Sequence, residues 1–379
     1  MGRLVLALMV VACTLPISTL VNYVVPDAYM DEIFHVPQAQ GYCKGDFNTW
    51  DPMITTLPGL YYVSLAYIAS LFPGMQWTGK ARTFQEACST AILRSVNISL
   101  AIICALLFYD IIIELRPETN ARSAIRQAFV LSLYPLHWFF TFLFYTDVGS
   151  TTAVMAMYLA CIKRSYWLSA LLGCLAIVFR QTNIVWMAFV ACMGVLDYLD
   201  MFSRKNNLLK KTDALVESKT DSSVLNKRIV HARFKNRRNV NSNKIANNTV
   251  SEENLHQSKD SECSGVLGEL QVLAYRLWCK KWGILTTFYP FLLVAFAFLA
   301  FVVYNGSIVV GAKEAHPVSP HFTQILYFGL ASAVAIAPVH FNLSKAVVLC
   351  QSFRKERTKF LVLFFSALIS ALVSVHFFR

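Results

Sequence analysis

The sequence predicts an all-α polytopic membrane protein, and three observations carry that expectation. Of its 379 residues, 56% are hydrophobic and only 15% charged, where a soluble domain carries roughly 25% charged residues. Mean hydropathy is +0.49. Apolar runs recur along the chain, and runs approaching twenty residues are read as transmembrane helices.

Taken in order, the first run is Leu4–Val24. Its apolar character continues past Pro16 to Val25, which suits a retained first helix better than a cleaved signal peptide. Further segments are Ala91–Ile113, Phe129–Phe144, Ser150–Cys161, Tyr166–Phe179, Ile184–Tyr198, Ile284–Tyr304, Phe322–Val339 and Phe360–Phe377. Pro58–Phe72 is short and opens on Pro-Gly, so it reads as an interfacial or re-entrant helix. That leaves about nine spans by the hydropathy criterion. With a cytoplasmic N-terminus, the basic connections "ELRPETNARSAIR", "IKRS" and "NLSKAVVLCQSFRKERTK" fall on the cytoplasmic side. The opposite side receives an acidic first loop, "FYTDVGS", "FRQTN" and "NGSIVVGAKEAHPVSPH". This alternation is what the positive-inside rule demands.

Three regions follow. Residues 1–200 form an N-terminal membrane region whose first lumenal loop spans about 25–90. Residues 201–281 form a basic stretch containing "NKRIVHARFKNRRNVNSNK", and residues 282–379 form a C-terminal membrane region. Net charge is +12. Its excess lies in the 201–281 stretch, which lacks helical apolar periodicity and reads as a disordered cytoplasmic loop rather than a nucleic-acid-binding arm. The ten cysteines are scattered, mostly within apolar runs, without zinc-type spacing. Cys43 and Cys88 are the pair expected to join if both face an oxidising lumen.

Candidate chemistry concentrates on the lumenal side. "YMDEIFHVPQAQGYCKGDFNTWDP" places Asp31 and Glu32 side by side, with His35, Gln38, Trp50 and Asp51 following. Charged groups at a membrane boundary face water or a polar cavity. A merely solvating loop would hold fewer aromatic residues. Carboxylates beside flat apolar rings suit a sugar: the rings stack and the oxygens accept hydroxyl hydrogens. "FYTDVGS" adds Tyr145 and Asp147, and "FRQTNIVW" adds Arg180, Gln181 and Asn183. A guanidinium grips phosphate through its planar fork, while the plainer reading of Arg180 is a side chain snorkelling to the interface. The chain has no GxGxxG, no GxxxxGK[ST] and no DxD, so neither a nucleotide, a cofactor nor a metal site is expected. A donor drawn from the bilayer as a lipid-linked phosphate is the simplest alternative.

Together "MDEIFHVPQAQGYC", "WDPMITTLPGLYY", "FYTDVGS", "FRQTNI" and "FVVYNGSIVVG" resemble the dolichyl-phosphate-glucose alpha-1,2-glucosyltransferases of the endoplasmic reticulum. The resemblance implies a GT-C-like multi-span fold in the endoplasmic reticulum membrane, with its active site on the lumenal side. It implies a dolichyl phosphate glucose donor and a dolichyl-diphosphate oligosaccharide acceptor, which receives the last glucose before N-glycosylation. A beta-linked donor and an alpha-linked product imply inversion by a single displacement. Asp31 or Glu32 then serves as base, with Arg180, Gln181 and Asn183 on the donor phosphate. His35, Gln38, Trp50, Asp51, Tyr145 and Asp147 are left as substrate contacts. Family members continue into a "DNRHY"-type segment that has no match here, which implies a truncated C-terminal part. That departure supplies the alternative: a catalytically inactive membrane adaptor or channel-modulating subunit.

Overall fold

The computed structural model describes residues 2–202 and 266–312, with scattered positions between 327 and 361. Most of the basic stretch, and most of the segments Phe322–Val339 and Phe360–Phe377, lie outside the described residues. The described residues are helical and contain no strand. The helices are α1 (Gly2–Val24), α2 (Glu32–Cys43), α3 (Gly59–Trp77), α4 (Thr90–Leu115), α5 (Ala121–Ser132), α6 (Pro135–Thr141), α7 (Thr146–Ile162) and α8 (Tyr166–Phe179). They are followed by α9 (Asn183–Phe202) and α10 (Val266–Asn305).

Among the described residues, α1, α4, α9 and the Gln271–Asn305 part of α10 are long and apolar enough to cross a membrane, and α8 is a shorter apolar helix. The 26 residues of α4 reach about 39 Å at 1.5 Å per residue, more than the roughly 30 Å of a hydrocarbon core. Its apolar face packs on α1 and α5 through a small core of Leu6, Val10, Ala105 and Ala128.

Two sequence expectations are corrected. Phe129–Phe144 is not one segment: α5 stops at Ser132, Tyr134 is extended (ψ 126°), and α6 begins at Pro135. Proline disfavours helical geometry in the residue before it and suits a first helical position. The basic stretch does not remain irregular to residue 281, because α10 is already helical from Val266. The ends flanking it meet, with the Lys280 ammonium 3.5 Å from the centre of the Phe202 ring.

On the side that carries the acidic motif, α2 has only 12 residues, while α3, expected to end at Phe72, runs for 19 residues to Trp77. Cys43 and Cys88 form the expected disulfide, tying the end of α2 to the turn before α4. Gly59, at the start of α3, lies so close to α8 that a Cβ there would stand 2.6 Å from the Val178 carbonyl oxygen. After α10 the chain returns across the first loop: the Val310 amide donates to the Thr55 carbonyl (3.1 Å) and the Ala312 amide to the Pro52 carbonyl (2.8 Å). Gly311 between them has φ +78°, and a Cβ would meet the Pro52 carbonyl oxygen at 2.5 Å. Only glycine takes this backbone at such proximity without strain.

Candidate active site

The two adjacent carboxylates have opposite surroundings. Glu32 opens α2 and its side chain is fully buried. Its Oε1 accepts from Arg94 Nε (3.0 Å) and the Phe144 amide (2.6 Å); its Oε2 accepts from Arg94 Nη2 (2.6 Å) and the Tyr29 amide (3.0 Å). The Arg94 guanidinium completes its fork on Asn22 Oδ1 and on the Val25 and Asp27 carbonyls. This hub ties α1, the 25–31 turn, α2, α4 and the residues before α7 to one point. Both oxygens of Glu32, expected from the sequence as one of two catalytic carboxylates, are thus already engaged by protein donors. Asp31 is exposed. Adjacent helical residues point about 100° apart, which is why the pair divides.

Beside Asp31 lies an aromatic cluster in which Tyr61, Tyr145 and His35 are buried and Trp50 is half-buried. The Asp31 amide donates to the Tyr145 hydroxyl at 2.6 Å. His35 Nδ1 and the Tyr61 hydroxyl share a hydrogen bond of 2.6 Å. The His35 ring is 5.7 Å from Tyr145 and 6.0 Å from Tyr61, and Tyr61 is 5.9 Å edge-on to Trp50. Burial holds His35 below its ordinary pKa, against the opposing pull of Asp31, Asp147, Asp51 and Glu32, which all act on it. Burial also pushes the Tyr145 phenol up to about 12. His35 is thus a neutral ring and Tyr145 a neutral phenol at physiological pH, among carboxylates.

Gln38 staples the first loop to α2. Its amide donates to the Thr49 carbonyl (2.8 Å) and its carbonyl accepts from the Asp51 amide (2.9 Å). Expected from the sequence as a substrate contact, Gln38 here holds the segment that carries Trp50 and Asp51. Both of these are half-buried; Trp50 Nε1 donates to the Ile54 carbonyl (3.2 Å), and Asp51 caps its own turn at the Met53 amide (2.9 Å).

Asp147, in the first turn of α7, pairs with Arg180 at the end of α8, and both side chains keep solvent-facing surface. The two residues expected to assist Arg180 do not share its opening. Gln181 is buried and donates to the Thr55 carbonyl (3.0 Å). Asn183 is buried and donates to Ser150 Oγ and the Ala176 carbonyl, both at 2.7 Å. Their amide donors are engaged within the protein, Gln181 on the first loop and Asn183 on α7 and α8.

Sequence reasoning missed Arg94 and Asn97. Asn97 is fully buried and donates to the Leu143 (2.6 Å) and Tyr145 (2.8 Å) carbonyls. The signal was available: an Arg and an Asn inside an apolar segment mark polar function by default.

A family model described as the DIE2/ALG10 family matches residues 25–379. A relative from Arabidopsis thaliana, named Dol-P-Glc:Glc(2)Man(9)GlcNAc(2)-PP-Dol alpha-1,2-glucosyltransferase, is 47% identical over 384 residues, covering 100% of this chain and 73% of the relative. Relatives of the same name from Mus musculus and Homo sapiens are each 33% identical, over 93% and 84% of this chain. The chain spans 67% of the length of the mouse relative and 59% of the human one. No solved structure matches.

Proposed function

The chain belongs to the DIE2/ALG10 family, and from that premise we propose that it transfers glucose from dolichyl phosphate glucose to the Glc(2)Man(9)GlcNAc(2) lipid-linked precursor in alpha-1,2 linkage. The observation that carries this reading is the contrast at the opening motif: an exposed Asp31 on a fixed turn, packed against a buried cluster of Tyr145, His35 and Tyr61 with the half-buried Trp50 edge-on to Tyr61. Asp31 takes the proton of the acceptor 2-hydroxyl. That oxygen attacks the anomeric carbon, the bond from that carbon to the donor phosphate oxygen breaks, and the electron pair leaves with dolichyl phosphate. Arg180 stabilises the charge gathering on the phosphate, as a fixed cation does for a leaving group. Asp147 orients Arg180 until the donor arrives.

Both substrates are lipid-linked. A groove of about 510 Å³ lined by apolar side chains, including Ile17, Val21, Trp138 and Phe142, reaches Tyr29 next to the motif and offers a prenyl chain an apolar wall. The protein is multi-pass in the endoplasmic reticulum membrane, with about nine spans of GT-C type, and the motif faces the lumen. No observation among the described residues favours the adaptor alternative.

The test is reconstitution of the chain in liposomes with labelled dolichyl phosphate glucose and the diglucosylated lipid-linked acceptor. A triglucosylated product is expected. Folded protein that binds both lipids without forming product would overturn the reading. Orientation is checked by cysteine labelling in sealed microsomes: a cysteine at Phe47 is expected to be protected and one at Asn241 to be labelled.

A further inference from the structure

We propose that Arg94 and Asn97 on α4 are positioning residues for Asp31, acting on it from its two sides. The proposal rests on the reading of Asp31 as the base. Residues three apart on a helix share a face, and among the polar residues of α4 this pair alone is fully buried.

Arg94 governs the side leading into Asp31. The chain before it turns through Met30, whose φ is +56°, a conformation that disfavours residues with a Cβ. Glu32 holds that turn through the Tyr29 amide, and Arg94 holds Glu32 through two bonds and the preceding strand of chain through the Val25 and Asp27 carbonyls. The turn that aims Asp31 is thus maintained from α4. Asn97 governs the other side. It grips the Leu143 and Tyr145 carbonyls, and Tyr145 reaches back so that its hydroxyl accepts the Asp31 amide. Two bond paths leave one face of one helix and converge on a single residue. Neither Arg94 nor Asn97 has solvent-facing surface with which to touch a substrate.

Kinetics of Arg94→Lys and Asn97→Ser, each alone and in an Asp31→Asn background, test this. Rates are expressed per folded molecule, judged by size-exclusion behaviour and the intact Cys43–Cys88 bond. Lysine keeps the charge but not the fork, and serine removes an amide without leaving a charge behind. Misplacement of a reacting group by about 1 Å lowers turnover about 10²-fold, so each single variant is expected to lose kcat on that scale with the donor KM unchanged. In the Asp31→Asn background the same changes should add less than about twofold, because effects routed through a removed group do not multiply. Unchanged kcat in the folded single variants, or losses that multiply with Asp31→Asn, would overturn the proposal. Should Arg94→Lys fail to fold, Asn97→Ser decides by the same criteria. Wild-type turnover in Asp31→Asn alone is a different outcome: it removes the base reading itself and the positioning role with it.

Discussion

Two arginine–carboxylate pairs flank the candidate site, and their surroundings could hardly differ more. Arg94–Glu32 is sealed, with side chains 1% and 0% exposed, and every oxygen of Glu32 is bonded. Arg180–Asp147 keeps 42% and 28% of its side-chain surface. In the sealed pair both charges have been taken out of water, which is tolerable only when the geometry and the remaining hydrogen bonds are complete. In the open pair the guanidinium keeps solvent-facing surface, so a further anion would meet a smaller desolvation penalty there than at the sealed pair. The same two residue types are sealed into the framework in one place and left open to an incoming anion in the other.

The largest expected effect comes from breaking the sealed pair. Arg94→Ala leaves Glu32 charged and buried, and should destabilise the fold by about 3–5 kcal/mol, read as loss of folded protein in detergent. A stable, abundant Arg94→Ala protein would erase the contrast. Next is the open pair. Arg180→Lys keeps the charge and loses the fork. A charge-assisted bond of about 1.5–3 kcal/mol is at stake, so donor titration should show weakened apparent affinity with folded yield unchanged. Unaltered donor use would return Arg180 to a snorkelling interface residue.

A smaller effect tests the strap after α10. Gly311→Ala forces a side chain into a left-handed conformation at about 1–2 kcal/mol and against the Pro52 carbonyl. Lower thermal stability and faster proteolysis near Pro52 are the expected signs; unchanged behaviour would mean that the strap is not required to hold the first loop. The smallest effect is expected at Arg3–Asp110, an ion pair on the face opposite the motif in which Arg3 is 62% exposed. Arg3→Ala should change stability by no more than about 1 kcal/mol, as surface pairs do, and a larger loss would show that exposure is a poor guide to which pairs matter here.

Much of the architecture was legible because membrane helices advertise themselves by composition. Tyr166–Phe179 was delimited by its apolar run alone, and the helix has those bounds. The pairing of Cys43 with Cys88 followed from their expected compartment. The candidate site was legible as a cluster of residue types but not as a division of labour. Nothing local says that Glu32 turns inward to meet an arginine 62 positions later, while Asp31 turns out. Gln38, Gln181 and Asn183 were singled out because they stand near charges, whereas their amides serve the backbone of neighbouring loops. Long-range partners of this kind depend on packing, which hydropathy does not encode. The break at Pro135 was locally encoded and hidden only by the apolar character on both sides of it.

The central claim is that Asp31 does the chemistry and Glu32 holds the site. Its most direct measurement is glucosyl transfer per folded molecule in Asp31→Asn beside the folded yield of Glu32→Gln, both in reconstituted membranes. Asp31→Asn is predicted to fold as the unaltered protein does and to transfer glucose about 10²–10⁴-fold more slowly, the usual consequence of losing a general base. Glu32→Gln is predicted to lose folded protein because Arg94 stays buried without its counter-charge. A folded Asp31→Asn enzyme with undiminished turnover would contradict the account.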